Sequence, residues 1–287
     1  MIEKKKILML GGSAQQVPAI EKAKEMGYYT VLIDYLPDNP GQYVADKWYQ
    51  ASTTDVEAVA DIAVKEGVSG ILPYASDPAA LPAAIVCERL GLPANPAKSV
   101  EVLGIKHKFR EYLRNNGFPS PKAVTFSPDT PIEEVINKIE TLHFPIIVKP
   151  TDSSGSKGVS FLTDTEGIEN AIGFAIPYSR NKILIAEEYI ERKYPYVIGG
   201  DIFIDDGKVV VYGDTDTFRH NNGQGLIPLG ECFPNHLNTE QRARLHAEIQ
   251  RLVTALDLKA GQMNIELLMD KDDNPHFLEL GPRAGGN

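Results

Sequence analysis

The chain has 287 residues, of which 43% are hydrophobic and 24% charged, and its formal net charge is -10. This length favours more than one hydrophobic core, and no apolar stretch approaches the roughly 20 residues that span a bilayer, which argues against a membrane protein. The acidic charge argues against nucleic acid as a partner, because proteins that bind it gain affinity by neutralising backbone phosphates.

Strand-like and helix-like runs alternate over the first hundred residues. Residues 5–10 (KKILML) predict a strand, because their apolar run is too short for a secretory signal. Later runs such as TVLIDY and GILPY, separated by helical patterns and by Gly or Pro, continue the alternation. The pattern predicts an α/β domain with a doubly wound parallel sheet, in which ligands bind at the carboxyl ends of the strands.

A glycine-rich turn follows the first strand. The Gly-Gly-Ser sequence at 11–13 opens a helix, and Asp34 ends the next strand, as in a dinucleotide-binding site. The G-x-G-x-x-G fingerprint is incomplete, however, because Gln15 and Gln16 occupy the remaining space. A dinucleotide-dependent oxidoreductase is therefore a distant alternative, although backbone amides at this helix N-terminus could hold a small anion or carboxylate.

The two cysteines, Cys87 and Cys232, belong to no Cys-x-x-Cys motif and no Cys/His cluster. This spacing predicts neither a disulfide framework nor a zinc site, and it favours two small buried side chains. Because the chain also shows no secretory pattern, we expect a cytoplasmic protein in a reducing compartment.

The composition changes after the first hundred residues. Residues 92–122 show helical periodicity and close with Gly-Phe-Pro-Ser-Pro, which predicts a helix that connects two domains. Beyond it, an Asp-Asp-Gly turn predicts a hairpin, and the runs 261–270 and 275–281 predict two final strands joined by KDDN. This second region is therefore predicted to be α+β, built on mainly antiparallel sheet.

The loop in KPTDSSGSKGVSF, residues 149–161, connects two apolar runs. It is not a P-loop, because the chain returns to a strand-like run and not to a helix. Its glycines, serines and lysine would let it close over a polyphosphate, and a solvated hairpin loop is the alternative. Lys149 ends the apolar run PIIV. A buried ammonium needs an anion, which is either an acidic partner within the protein or a nucleotide phosphate.

Two carboxylates stand in the last two predicted strands. Glu266 in NIELL and Glu279 in FLELG fall across from each other if the turn is centred near Asp272. Like charges directly opposite are destabilising unless a cation bridges them, and Mg²⁺ is the cation that carboxylates and phosphate oxygens usually hold. The alternatives are that one carboxylate faces solvent or that each has its own basic partner. The apolar flanks favour the metal.

A buried lysine, a Ser/Gly flap and two strand carboxylates together predict a magnesium-nucleotide site. Five stretches in order resemble the ATP-grasp superfamily: GIKHKFREYLRNNGFPSPK, FPIIVKPTDSSGSKGVSF, ILIAEEYI, GQMNIELLMD and ELGPRAGGN. The resemblance covers essentially the whole chain. It implies a Rossmann-like pre-ATP-grasp domain at 1–104, a connecting helix and linker at 105–121, and two ATP-grasp subdomains at 122–191 (the lid) and 192–287, which grip ATP between them.

The resemblance also implies roles for individual residues. The residues that would contact ATP phosphates directly are Lys106 and Lys149. The flap over the phosphates would consist of Ser153, Ser154, Gly155, Ser156, Lys157 and Gly158. The hinge that contacts adenine would consist of Glu187, Glu188 and Ile190, and Asp201 would hydrogen-bond the ribose. Glu266 and Glu279 would bind Mg²⁺ or Mn²⁺, and Arg283 would act with Lys149 on the transferred phosphate.

The sequence departs from the family pattern at several points. Ile105 stands where an aspartate is common, and the longer stretch ERKYPYVIGG precedes Asp201. Gly281 replaces the asparagine of the usual E-x-N-x-R motif, so a second metal ion would be bound differently or more weakly. The chain stops at Asn287, where relatives usually continue, and we expect a fragment that could bind ATP without turnover.

The resemblance implies an ATP-dependent ligase that activates a carboxylate as an acyl phosphate for attack by an amine or similar nucleophile. The alternatives are bicarbonate chemistry of the biotin-carboxylase, carbamoyl-phosphate-synthetase or purine-pathway type, and a nucleotide-binding fragment without turnover. Residues 74–77 are expected to shape the acceptor site, and His220 is the histidine that could contact substrate. The expected partners are a small-molecule carboxylate or bicarbonate and a nucleophilic acceptor, and a homodimer is left open.

Overall fold

Parallel strands and helices alternate over the first part of the chain, as the sequence pattern predicts. The computed structural model describes residues 4–153, 155–219 and 228–285. The first four strands form one parallel sheet in the order β3-β2-β1-β4. The strands are β1 (Lys6–Leu10), β2 (Tyr29–Asp34), β3 (Lys47–Gln50) and β4 (Gly70–Leu72), and the helices are α1 (Val17–Glu25), α2 (Val56–Glu66) and α3 (Asp77–Leu90).

Helices cover both faces of this sheet. Leu8 and Leu10 of β1 belong to the same buried cluster as Val59 of α2, whereas Met9 packs with Ile20 of α1. Successive residues of a strand point to opposite faces, so an uninterrupted apolar strand needs a cover on each side. The strand order reverses between β1 and β4, which places a crevice at the carboxyl ends of these two strands.

Two helices, α4 (Ala97–Gly104) and α5 (Lys106–Asn115), follow the parallel sheet. The helix α5 lies within the predicted connection at 105–121, and α4 precedes it. Ile105 adopts an extended backbone, with φ -126° and ψ 107°, and separates the two helices. Phe109 and Leu113 of α5 are buried in the core of the last sheet, so packing fixes the orientation of α5 and of Lys106 at its first turn.

The first antiparallel sheet has the strand order β5-β8-β6-β7. Ile146 and Val148 pack against helices on one face, with residues such as Val135 and Ala171. Because side chains alternate along a strand, Ile147 and Lys149 face the opposite side. The elements are β5 (Ala123–Phe126), α6 (Ile132–Ile139), β6 (Ile146–Pro150), β7 (Ser160–Leu162), α7 (Ile168–Ala175) and β8 (Leu184–Glu188).

The second antiparallel sheet has the order β11-β10-β9-β12-β13 and includes the hairpin predicted from Asp-Asp-Gly. Ile265 and Leu267 share one core with Leu245 and Ile249 of the long helix, which leaves Glu266 on the opposite face. The elements are β9 (Tyr196–Asp205), β10 (Lys208–Arg219), β11 (Pro228–Cys232), α8 (Thr239–Ala255), β12 (Gly261–Met269) and β13 (Pro275–Gly281).

Cys87 is buried in α3, as predicted, but Cys232 at the end of β11 is partly exposed, and both are free thiols. Within the described ranges, every helix is too short or too polar to cross a bilayer.

Candidate functional site

A cavity of about 240 Å³ lies between the two antiparallel sheets. One wall includes Ile147 and Lys149 of β6, and the other includes Glu266 of β12 and Glu279 of β13. Lys106 of α5 and the loop between β6 and β7 complete the lining. The mixture of apolar and charged side chains in a deep cleft is typical of a small-molecule site.

Lys149 is partly buried in this wall and has an acidic partner within the protein. Its ammonium forms a short ion pair with Glu187 of β8, and the other carboxylate oxygen of Glu187 accepts a hydrogen bond from Arg110 Nε at 2.9 Å. Arg110 is 2% exposed and also donates to the backbone carbonyls of Phe277 and Leu278. One buried carboxylate therefore compensates two cations, the buried Arg110 and the partly buried Lys149, and Arg110 links it to the strand that carries Glu279.

The charges of this cluster shift the pKa values of its members. Burial by itself raises the pKa of Glu187, but the positive charges of Arg110 and Lys149 outweigh burial and bring the pKa to about 2. Burial lowers the pKa of Lys149, and the neighbouring cations Arg110 and Lys106 lower it further against the attraction of Glu187. Anionic phosphate in the cavity would therefore meet an excess of positive charge.

Acid is expected to destabilise the protein through Glu187. Because its folded-state pKa of about 2 lies below the ordinary value of 4.5, the stability that its ionised form contributes is fully present above pH 4.5. That stability is lost as the pH falls through 2, and it amounts to about 3 kcal/mol of unfolding free energy. Denaturant titrations from pH 5 to pH 2, followed by circular dichroism, should show less acid dependence in Glu187→Gln than in the unsubstituted chain. Equal acid dependence in the two proteins would contradict this assignment.

The loop after Lys149 is a hairpin connection, because β6 and β7 pair in antiparallel register from Ile146 with Leu162 to Val148 with Ser160. Of the predicted flap residues that the structure describes, Ser153, Gly155, Ser156 and Lys157 line the cavity. Lys106 Nζ donates to the Ser153 carbonyl at 2.6 Å, which fixes the start of the loop against α5. The loop thus places hydrogen-bond donors over the cavity, and its first residues are anchored to α5.

Glu266 and Glu279 are direct partners in the β12 and β13 ladder, as the sequence predicts. Each also has a basic neighbour: Arg219 Nη2 donates to Glu266 at 2.8 Å, and Lys106 Nζ lies 3.7 Å from Glu279. Burial raises the pKa of Glu266, the charge of Arg219 opposes that shift, and Glu279 reinforces it. The part of this shift that Glu279 causes shows that the two carboxylates repel each other in spite of their basic neighbours, and a divalent cation between them would relieve that repulsion.

The Gln16 side chain fills the space beside the glycine-rich turn of the N-terminal sheet. Gln16 Oε1 accepts hydrogen bonds from the backbone N–H and the hydroxyl of Ser13, and Gln16 Nε2 donates to the Tyr74 carbonyl. Asp34 accepts from the backbone N–H of Gly12 at 2.7 Å. Gln16 thus occupies the space beside the turn, and a pyrophosphate there would have to displace it. This arrangement disfavours a dinucleotide and also the small anion considered for this turn.

Two predicted ATP-binding residues, Asp201 and Gly158, are not among the residues that line the cavity. The Asp201 carboxylate accepts hydrogen bonds from Asn264 and Gln262 side chains and from the Gly285 N–H, so its assignment to the ribose is not supported by its position. Gly158 has φ +71°, and an added Cβ would meet the end of α7 and the Tyr178 ring. It serves the turn and does not line the cavity. Ser154 and His220 lie outside the described residues.

The remaining predicted site residues come together at the cavity, namely Lys106, Lys149, Glu187, Glu188, Ile190, Glu266, Glu279 and Arg283. Sequence reasoning missed Arg110, Arg219 and Asn264. Arg110 lies four residues after Lys106 on one helix, and such spacing puts two cations on the same face. Arg219 directly precedes His220, the histidine singled out above. Asn264 lies two residues before Glu266, which puts both side chains on the same face of the strand.

Comparison with known proteins bears on what occupies the cavity. Residues 106–285 match the family described as carbamoyl-phosphate synthase L chain, ATP binding domain. The chain belongs to this family and thus to the ATP-grasp superfamily. The match begins at Lys106 and ends two residues after Arg283, so every cavity residue discussed above falls within it.

Individual relatives of this ATP-grasp chain are distant in sequence. It is 21% identical to the carbamoyl phosphate synthase large chain of Vibrio cholerae over 98% of its own length, but it spans only 27% of that protein. Among solved structures, the L-amino acid ligase of Bacillus licheniformis has a TM-score of 0.78 at 22% identity, with 100% of this chain and 68% of that chain covered.

The biotin carboxylase domain dimer of the 2-oxoglutarate carboxylase of Hydrogenobacter thermophilus also has a TM-score of 0.78, at 23% identity. This match covers 97% of the present chain and 64% of that one. That structure contains MgADP, ADP and bicarbonate. At these identities the similarity shows a shared fold.

The residues of the ATP-grasp chain fit a divalent cation. Glu266 and Glu279 offer carboxylate oxygens on one face of the sheet, and hard oxygen ligands are those that Mg²⁺ prefers. Over residues 4–153, 155–219 and 228–285, no group of three His, Cys, Asp or Glu side chains is arranged to hold a metal. Mg²⁺ would therefore complete its coordination with phosphate oxygens and water, which is its usual behaviour.

Proposed function

We propose that the chain is the nucleotide-binding part of an ATP- and Mg²⁺-dependent ligase, which activates a carboxylate as an acyl phosphate for attack by an amine or similar nucleophile. The observation that carries the proposal is the cavity between the antiparallel sheets, where Lys149, the flap and the Glu266/Glu279 pair converge. Membership of the ATP-binding family supports the nucleotide assignment.

The proposed roles follow the position of each group. Lys106 and Lys149 would contact the phosphates, and Lys157 with the flap would close over them. Of the hinge residues, Glu188 and Ile190, near the end of β8, would contact adenine. The Glu187 carboxylate already binds Lys149 and Arg110. The parallel-sheet segment at 1–104, the connection at 105–121, and the two subdomains at 122–191 and 192–287 would together enclose the substrates.

Phosphoryl transfer makes limited demands on protein side chains, because positioning and charge neutralisation supply most of the catalysis. Mg²⁺ held by Glu266 and Glu279 would neutralise charge on the phosphate oxygens. Lys149 would remain a donor to phosphate while Glu187 holds its ammonium in place. Arg283, at the edge of the cavity near Glu279, would contact the transferred group. The flap would exclude water, which protects an acyl phosphate from hydrolysis.

Titration calorimetry with ADP, in the presence and absence of Mg²⁺, tests this function first. We expect one ADP per chain, with affinity that rises at least about tenfold when Mg²⁺ is present, because the two carboxylates repel phosphate unless a cation lies between them. AMP is the control, since it lacks the phosphate that would reach the metal. Equal affinity with and without Mg²⁺, or no binding of ADP at all, would contradict the proposal.

Bicarbonate is the second candidate for the activated group. The match to the carbamoyl-phosphate synthase family favours it, and one similar structure contains bicarbonate. Phosphate release that depends on bicarbonate would identify carboxylase-type chemistry, whereas release that depends on an added carboxylate and amine would identify a carboxylate-amine ligase. MgADP binding without phosphate release under either condition would identify a nucleotide-binding protein without turnover. Light scattering of the same sample would test for a homodimer.

A further inference from the structure

Arg283 forms an ion pair with the N-terminal part of the chain. Its Nε donates to Asp77 Oδ1 at 2.7 Å and its Nη2 donates to Asp77 Oδ2 at 2.9 Å. The Arg283 side chain is 12% exposed and that of Asp77 is 29% exposed. A two-pronged, partly buried contact of this kind is stronger and more directional than a surface ion pair.

The position of Asp77 makes this contact relevant to the site. Asp77 is the first residue of α3, just after β4 at the crevice of the parallel sheet. It lines a second cavity of about 40 Å³, which shares Lys106, Ser153 and Glu279 with the large cavity that Arg283 lines. The guanidinium therefore lies where the two cavities meet, and the N-terminal sheet supplies the carboxylate that holds it there.

Gly281 leaves the space that the guanidinium uses. A Cβ at this position would lie 3.3 Å from Arg283 Cζ, which is tighter than most contacts that side chains make, and 3.4 Å from Nη1. The backbone of Arg283 is fixed independently, because its carbonyl accepts a hydrogen bond from the Asn264 N–H at 2.9 Å. Glycine in the Glu-Leu-Gly-Pro-Arg sequence thus allows the arginine side chain to lie across the end of β13 and reach Asp77.

We propose that Asp77 is a positioning residue for Arg283. It holds the guanidinium at the junction of the two cavities, where the transferred phosphoryl group would meet it, and Gly281 provides the room. This inference rests on the proposed phosphoryl transfer, since that reaction gives Arg283 its role. It assigns to the N-terminal sheet the task of fixing a phosphate-contacting cation, separate from the binding of ADP.

Calorimetry can separate the positioning of Arg283 from the binding of ADP. One titration uses MgADP alone, and the other adds fluoroaluminate, which mimics a phosphoryl group in transfer. We expect fluoroaluminate to tighten MgADP binding in the unsubstituted chain. In Asp77→Asn, MgADP alone should bind within about twofold of normal, while the tightening should fall at least tenfold, the usual consequence of losing a charged hydrogen-bond partner. Asp77→Glu should recover part of the tightening. Glu57→Gln, which removes the exposed Glu57–Arg89 pair of the same sheet domain, is the matched control and should change neither value.

Gly281→Val is a second route to the same pair, because its branched apolar side chain crowds the guanidinium without altering Asp77 or adding a metal ligand, and it should reproduce the loss of tightening. Normal tightening in Asp77→Asn or in Gly281→Val would overturn the positioning role. MgADP binding without any fluoroaluminate effect in the unsubstituted chain would overturn the role of Arg283 and this proposal with it. Failure of the unsubstituted chain to bind MgADP is a different result, which overturns the proposed function itself.

Discussion

Replacement of Glu266 or Glu279 by glutamine is expected to weaken MgADP binding by at least about 10-fold to 100-fold, the range seen when metal sites lose a supporting group. The two carboxylates face each other across the β12 and β13 ladder, and an amide supplies neither the charge nor the strong oxygen ligand that Mg²⁺ requires. Binding of ADP without Mg²⁺ should stay the same or improve, because one negative charge near the phosphates is removed. Calorimetric titrations of each variant with and without Mg²⁺ would measure both effects.

Glu231→Gln is the matched control for this experiment, since Glu231 is an exposed carboxylate of the same sheet, on β11. Its substitution should leave MgADP affinity unchanged. Thermal unfolding of all variants should be compared, because Glu266→Gln also replaces the charged group that accepts the Arg219 hydrogen bond at 2.8 Å by a neutral amide. Unchanged MgADP affinity in both the Glu266 and the Glu279 variant would rule out the metal assignment.

Glu187→Gln is expected to lower the free energy of unfolding by about 3–5 kcal/mol, the cost of removing one partner from a buried ion pair. Glu187 is 5% exposed and is the carboxylate shared by Lys149 and Arg110. Its loss leaves the buried Arg110 and the partly buried Lys149 without the anion that they share. Urea denaturation at pH 7, monitored by circular dichroism, would measure the change.

The neighbouring residue provides the control for this prediction. Glu188 has a different environment, because its carboxylate accepts a hydrogen bond from the His143 N–H at 2.9 Å in an exposed position. Glu188→Gln should therefore cost about 1 kcal/mol or less. Addition of ADP should not restore the stability of Glu187→Gln fully, since the nucleotide supplies negative charge to Lys149 but cannot reach the buried Arg110. If Glu187→Gln lowers the free energy of unfolding no more than Glu188→Gln does, Glu187 does not compensate the two cations.

Much of the fold could be predicted from local patterns. The alternation of strands and helices, the Asp-Asp-Gly hairpin and the two C-terminal strands appear in the structure as predicted. The pairing of Glu266 with Glu279 could also be predicted, because a short turn fixes the register of the two strands that it joins. The strand β11 and the break between α4 and α5 at Ile105 were not predicted, since each depends on contacts with distant segments.

The candidate site was predicted as a set of residue types, and its internal contacts were not. Lys149 at the end of an apolar run required an anion, but the sequence left open whether the anion was an acidic partner within the protein or a bound phosphate, and the structure pairs it with Glu187. The structure adds Arg110, 77 residues away from Glu187 along the chain, as the second cation on the same carboxylate. Asp201 shows the opposite case, because its strand was predicted but its hydrogen bonds to Asn264 and Gly285 were not.

The sequence by itself determined the strands and helices, the superfamily resemblance and the chemical types of the site residues, because these depend on side-chain periodicity, turn residues and short motifs. Only the tertiary structure decided which charges meet. Glu187 with Arg110, Glu266 with Arg219, and Arg283 with Asp77 each join residues from separate elements. The physical reason is that an ion pair requires two groups within a few ångströms, and the packing of whole sheets and helices sets that distance.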